Sequence, residues 1–281
     1  MKENLKNLPP ISEVIRFYDL KPDKRLGQNF LSDQDITDKI VHYAGSLKDK
    51  TVLEVGPGPG LLTRSLLYTD AKKIFAVEMD PRCIKALKVL GEIDNRLSIL
   101  NHNALTLDET TLTADTLTVI ANLPYNIGTS LLLKWFENIN KFEQIIVMLQ
   151  KEVVERLIAI PDDEHYGRLS IICNLLCDAE YLFDIDPENF YPAPKVVSTV
   201  VRLIPLSKPR FDCNVHKLSN ITKAAFGQRR KMLRSSLKSI FTNPATELEG
   251  IGIDPSKRAE ELSVEDFCKI SNSPIKFFST V

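Results

Sequence analysis

Cysteine is scarce and shows no pairing pattern. Cys83, Cys173, Cys177, Cys213 and Cys268 form an odd, scattered set without C-x-x-C spacing. That argues against a disulfide or zinc framework and suits reduced thiols in a cytoplasmic, metal-free protein. Long hydrophobic runs are missing as well. The longest, such as Ile145–Leu149, fall far short of the ~20 apolar residues that cross a bilayer. The opening Met1-Lys2-Glu3-Asn4 carries an early acid and no apolar stretch, so no secretory signal is expected. There is no internal repeat, no low-complexity tract and almost no net charge, −1 overall.

What is present is ordinary globular material: 281 residues, 43% hydrophobic and 26% charged, enough for one large domain or two unequal ones. The charge is unevenly placed. Residues 206–281 hold 13 Lys+Arg against 8 Asp+Glu, a net +5, while the rest hold 23 against 29, a net −6. Such asymmetry hints at nucleic-acid contact.

Between Thr51 and Ile204, short apolar runs alternate with helical patterns. Strands are predicted at Thr51–Val55, Lys73–Met79, Leu97–Leu100, Leu117–Ala121, Gln144–Leu149, Tyr181–Asp186 and Val196–Ile204. Intervening helices make βαβ units and hence a doubly wound α/β, Rossmann-like sheet, mostly parallel. The last strand follows its neighbour after a short Pro-rich link, which allows a hairpin but no crossover, so it should be antiparallel at that edge. Ile204-Pro205-Leu206-Ser207-Lys208-Pro209 reads as a linker. The expected domains are therefore 1–205, with 1–23 a leader of no assigned role, and a small all-α domain over 206–281. Its helices are expected at Val215–Phe226, Arg229–Phe241 and Val264–Ser271.

Gly56-Pro57-Gly58-Pro59-Gly60 lies between the first strand and a helix, and Glu78 closes the second strand. In an open α/β sheet that carboxylate is placed for ribose hydroxyls. A dinucleotide would want G-x-G-x-x-G, and the two prolines remove N–H groups that would cradle phosphate. S-adenosylmethionine has no phosphate and does not need them. A tight structural turn beside a solvated glutamate is the plain alternative.

Asn122-Leu123-Pro124-Tyr125 follows the fourth strand. The exocyclic amine of a base is a poor nucleophile because its lone pair is delocalised. The Asn122 oxygen and the Leu123 carbonyl could accept its two hydrogens and localise that pair. Pro124 restricts Leu123 to extended geometry, and Tyr125 offers a ring for the extruded base to stack on. Asn, Pro and Tyr also suit a mere strand-ending turn. Phe190-Tyr191-Pro192-Ala193-Pro194-Lys195 could hold a second stacking face or be an ordinary Pro-rich loop. Lys223–Lys238 contains six positive residues and no acid; a helix there would place Arg230, Arg234 and Lys238 on one face, with Met232, Leu233 and Leu237 inward. Phosphate contact and a merely solvated face are both open readings.

Together these residues resemble the ribosomal RNA adenine N6-dimethyltransferase family. The likeness rests on Leu26-Gly27-Gln28-Asn29-Phe30-Leu31, Glu54–Gly60 with Leu62-Thr63, Asn122–Tyr125, Tyr166-Gly167-Arg168-Leu169-Ser170, Phe190–Val196 and Phe226-Gly227-Gln228-Arg229-Arg230-Lys231. It implies that Gln28, Asn29 and Leu31 line an S-adenosylmethionine pocket, with Gly56 and Gly58 near the methionine part, Glu78 at the ribose, and Asn122 between donor and amine. Tyr125 and Phe190 would sandwich the adenine. It further implies dimethylation of two adjacent adenosines in a hairpin loop near the 3′ end of small-subunit (16S) rRNA, inside a partly assembled 30S particle. Arg229, Arg230, Lys231, Arg234 and Lys238 would dock rRNA, and the protein would act as a monomer. The family commonly has Asp where this chain has Asn103, at the expected contact with the donor's adenine amine; weaker donor binding is expected. Rival readings are a large-subunit rRNA methylase, a non-catalytic RNA-binding assembly factor and a nicotinamide dehydrogenase.

Overall fold

Short apolar runs that stop at glycine, asparagine or an acid become the strands of one mixed sheet. The computed structural model describes residues 5–274. In chain order the strands are β1 (Phe30–Leu31), β2 (Thr51–Val55), β3 (Lys73–Glu78), β4 (Leu97–Asn101), β5 (Leu117–Asn122), β6 (Phe142–Gln150), β7 (Cys177–Ile185), β8 (Phe190–Tyr191) and β9 (Ser198–Pro205). The α-helices are α1 (Ile11–Phe17), α2 (Gln34–Tyr43), α3 (Leu61–Leu67), α4 (Pro81–Ile93), α5 (Gly128–Glu137), α6 (Lys151–Ile158), α7 (Arg168–Leu176), α8 (Val215–Gly227), α9 (Leu233–Ser236), α10 (Pro244–Glu249) and α11 (Val264–Asn272). β2 is buried at all five positions because both faces are covered, as a central parallel strand must be.

The seven-stranded sheet runs β4-β3-β2-β5-β6-β9-β7, while β1 and β8 pair separately. β2 is parallel to β3 and β5, β3 to β4 and β5 to β6; β9 is antiparallel to β6. The last strand is thus reversed and makes this edge of the sheet antiparallel, as expected. It inserts between β6 and β7. Thr199 meets Asp184 and Arg202 meets Glu180, so β7 runs opposite to β9. The order turns back between β2 and β5, and the carboxyl ends of those strands open the crevice where such sheets bind ligands.

Contacts divide the chain into a sheet unit, 1–154 with 180–205, and a helical unit, 155–179 with 206 onward. The sequence suggests one boundary near 205. The insertion 155–179 joins the second unit because α7 buries Leu169, Ile171, Ile172, Leu175 and Leu176, and it packs against α8 and α11. The Tyr166–Ser170 motif serves this core. The Tyr166 hydroxyl donates to the Leu262 carbonyl at 3.0 Å, its ring meets Phe226 edge-on at 6.1 Å, and the Ser170 hydroxyl caps the Gly167 N–H at 3.0 Å.

The continuous helix expected over Arg229–Phe241 does not form. α8 stops at Gly227, residues 228–231 turn, and Met232 is extended (φ −61°, ψ 152°) in a bridge to Arg258. Only then does the four-residue α9 begin. Arg230, Arg234 and Lys238 therefore share no helical face. Leu233 and Leu237 are buried, as the apolar pattern requires, whereas Met232 is exposed. The leader also has structure: α1 buries Ile11 and Val14, and Leu20 follows it into the core.

Candidate active site

Gly56 and Gly58 occupy the left-handed region, with φ +67° and +55°. A Cβ on Gly56 would lie 3.2 Å from the Pro124 ring, and one on Gly58 would lie 3.0 Å from Phe30. The glycine turn therefore lies against both the loop after β5 and the first residue of β1. Only a residue without a side chain fits there.

Glu78 ends β3 buried at 7% exposure. Its Oε2 accepts the Gly58 N–H at 3.0 Å, and its Oε1 accepts those of Met79 and Asp80, each at 2.8 Å. Burial pushes its pKa up and the three N–H donors oppose that. The carboxylate is fixed in position and retains acceptor capacity on Oε2. Glu54, on β2 two residues before Gly56, is almost wholly buried. Its Oε2 accepts the Thr63 hydroxyl at 2.7 Å, while its Oε1 has no partner. Burial pushes its pKa up to about 8, so it is mainly protonated at neutral pH. Sequence reasoning gave Glu54 no role. A lone carboxyl in an otherwise buried strand was the available signal.

The Asn122 Nδ2 donates to the Asn29 carbonyl at 3.3 Å, joining residues 93 apart in the chain. A carbonyl can only accept, so this contact fixes which way the amide faces and turns Oδ1 away from it. The Leu123 N–H bonds the Met148 carbonyl at 3.3 Å, and the Pro124 carbonyl takes the N–H groups of Ile127 and Gly128, each at 3.1 Å. The Tyr125 hydroxyl is hydrogen-bonded to Ser198 on β9, which fixes the ring's tilt. Asn126, also missed, donates to the Arg25 carbonyl at 3.0 Å. Gln28 spends its side chain on protein: Oε1 accepts the Asp23 N–H at 2.8 Å and Nε2 donates to Asp80 at 2.9 Å. Residues 25–29 are thus a strap pinned at three points.

A cleft of about 1080 Å³, open to solvent, is lined by Gln28, Asn29, Leu31, Glu54, Gly56, Gly58, Glu78, Asn103 and Asn122–Tyr125. Phe190 is not among the lining residues. It is 5% exposed and pairs with Leu31 across the β1–β8 ribbon. Asn103 Oδ1 already accepts the Leu105 N–H at 3.0 Å, so its one acceptor oxygen is partly committed to its own turn. In the helical unit, Arg230, Lys231, Arg234 and Lys238 are exposed, whereas Arg229 is half-buried and pairs with Glu260 at 2.7 Å. Among the described residues no helix is long and apolar enough to cross a membrane.

A sheet of this order with one reversed strand, and an N–H-poor glycine turn facing a clamped carboxylate at its switch point, define an S-adenosylmethionine-dependent methyltransferase. The residues fit that donor: Glu78 can take ribose hydroxyls, and the unpartnered Glu54 Oε1 can take an ammonium. Solved structures agree with the fold. The chain resembles a dimethyladenosine transferase from Plasmodium falciparum (TM-score 0.72, 28% identity, 86% of this chain and 95% of that one). It shares its fold with the 23S rRNA methyltransferase ErmE (TM-score 0.62, 24% identity, 86% and 98%). A relative from Sinorhizobium fredii, named ribosomal RNA small subunit methyltransferase A, is 48% identical over 272 residues, 95% of this chain and 91% of its own. One of the same name from Afipia carboxidovorans is 46% identical over 276 residues, 96% and 97%. The family model for ribosomal RNA adenine dimethylase matches residues 20–276, and the chain belongs to that family.

Proposed function

We propose that this enzyme dimethylates the N6 amines of two adjacent adenosines in the 3′-terminal hairpin loop of 16S rRNA, acting as a cytoplasmic, metal-free monomer on a partly assembled 30S particle. The observation that carries the reading is the Asn122 amide, whose nitrogen is spent on the strap and whose oxygen is left as an acceptor at the cleft. S-adenosylmethionine supplies a sulfonium methyl group there. Asn122 Oδ1 and the Leu123 carbonyl hold the two N6 hydrogens and localise the lone pair. Tyr125, tethered to Ser198, stacks on the flipped base, a contact worth ~1–3 kcal/mol. Phe190 becomes the second face only if the β1–β8 ribbon turns its ring outward, since that ring is buried in the described conformation. No residue is needed as a strong base, because methylation itself makes the nitrogen's proton acidic; positioning is the main contribution.

Gln28, Asn29 and Leu31 act as the strap over the donor, Gly56 and Gly58 admit its methionine part, and Glu78 binds its ribose. Asn103 faces its adenine. Arg230, Lys231, Arg234 and Lys238 contact rRNA phosphate, with Arg229 a lesser contributor. The relatives at 46–48% identity bear the small-subunit name, whereas ErmE at 24% supports fold alone; this favours the small subunit over a large-subunit target. Mass mapping of methylated adenines in rRNA from cells lacking the protein tests the reading. Loss of both dimethyladenosines near the 16S 3′ end is expected. Their persistence, or loss from 23S rRNA instead, overturns it.

A further inference from the structure

A second cleft, of about 880 Å³, lies behind the glycine turn, between α1 and the helices α3 and α4. Leu8, Val14, Pro59, Ala86 and Leu90 give it apolar walls. Set among them is Arg64 of α3, only 9% exposed. Its Nη1 donates to the Pro9 carbonyl at 2.8 Å, but its Nε is buried without a partner. Among the described residues no carboxylate forms an ion pair with it, and burial pushes its pKa down. A guanidinium taken out of water and half satisfied is a standing cost. At the mouth stands Phe17, 82% exposed, with its ring edge-on to Tyr18 at 4.9 Å. Arg16 adds a second positive charge to the lining and Glu13 a single negative one.

We propose that this is a binding site for a small carboxylate carrying an apolar body. The planar fork of Arg64 matches a carboxylate and would regain the hydrogen bond its Nε lacks. A bare inorganic anion would satisfy that charge and leave the apolar walls and the exposed Phe17 ring in water. An uncharged apolar ligand would do the reverse. Pro59 lines both this cleft and the methyl-donor cleft, and the two share no other lining residue.

The test is fluorescence titration of the full chain with 2-naphthoate, in the presence of saturating S-adenosylhomocysteine. One equivalent should bind, with Arg64→Met and the neutral 2-methylnaphthalene each weaker by about tenfold or more, as for loss of a charged hydrogen bond. Equal binding by Arg64→Met, equal binding of the neutral analogue, or displacement by S-adenosylhomocysteine would overturn the site. Should Arg64→Met fail to fold, Val89→Trp decides. Val89 is 39% exposed at the lining, so a bulky ring there should block naphthoate while leaving S-adenosylhomocysteine binding intact. Unchanged naphthoate binding in that variant overturns the proposal equally.

Discussion

The sheet unit and the helical unit carry their proposed functional side chains in opposite ways. In the first, Asn29, Glu78 and Asn122 come from distant stretches of chain, and each is held by backbone hydrogen bonds at a strand end. In the second, Arg230, Lys231, Arg234 and Lys238 are close in sequence, exposed, and carried on a turn, a single α-helical turn and the 3-10 turn after it. The difference follows the physics of the two tasks. Methyl transfer needs donor, lone pair and acceptors placed to fractions of an ångström, whereas phosphate contact works by charge number and tolerates loose geometry.

Substitutions in the two units should act differently. The largest effect is expected from Asn122→Ala, which should cut methyl transfer from labelled donor to immature subunits by about a hundredfold or more while S-adenosylhomocysteine affinity stays within a few fold. Equal loss of both would mean that the strap contact to Asn29, and not the free oxygen, is what Asn122 provides. Next, Arg230→Gln, Lys231→Gln and Arg234→Gln together should flatten the dependence of RNA affinity on salt by up to about 2 log units per log unit, if each touches phosphate. Arg229→Gln should change that slope least, because Arg229 is already paired with Glu260. A steeper loss from Arg229 would mean that the turn is as precisely built as the cleft.

A smaller effect is expected at Glu54. Its pKa rises from the ordinary 4.5 to about 8 in the fold, so between those values the folded protein holds a proton that the unfolded chain releases. Wild-type stability should therefore fall as pH rises through that window and level off above it. Glu54→Gln keeps the acceptor for Thr63 without the titration. Its melting temperature should gain on wild type progressively from about pH 5 to 8, and a gain independent of pH would contradict the assignment. The smallest change is Asn103→Asp, which frees a second oxygen beyond the one capping Leu105 and should tighten S-adenosylhomocysteine binding a few fold by calorimetry. Unchanged or weaker binding would remove that residue from the site.

Much of the sheet unit was legible because its signals are local. Thr51–Val55 and Leu117–Ala121 read as buried strands, and the glycine turn and Asn122–Tyr125 mark where they stop. What escaped depends on pairing between distant segments. Gln28 lines the cleft as the resemblance implies, but nothing in its local sequence announces that its amide is spent on Asp23 and Asp80. Asn126 had no local pattern to announce its bond to Arg25. Phe190 was expected at the base, and its pairing opposite Leu31 buries it. The basic segment has helical periodicity throughout, but the chain turns after Gly227 and the Met232–Arg258 bridge holds Met232 extended, and nothing near Met232 encodes a partner 26 residues on. Place in the chain also concealed which unit owns α7.

That ownership limits how the molecule can be taken apart. Cutting the gene at codon 205 to isolate the methylating half would strand α7 in mid-sequence, its buried Leu169, Ile172 and Leu176 stripped of the helices that cover them. A fragment that clumps would then be mistaken for proof that catalysis requires the tail. An excision along the contact boundary removes 155–179 as well, and it costs the second half of α6 and the first three residues of β7. During synthesis the same layout leaves α7 waiting, greasy side outward, until the final helix emerges from the ribosome.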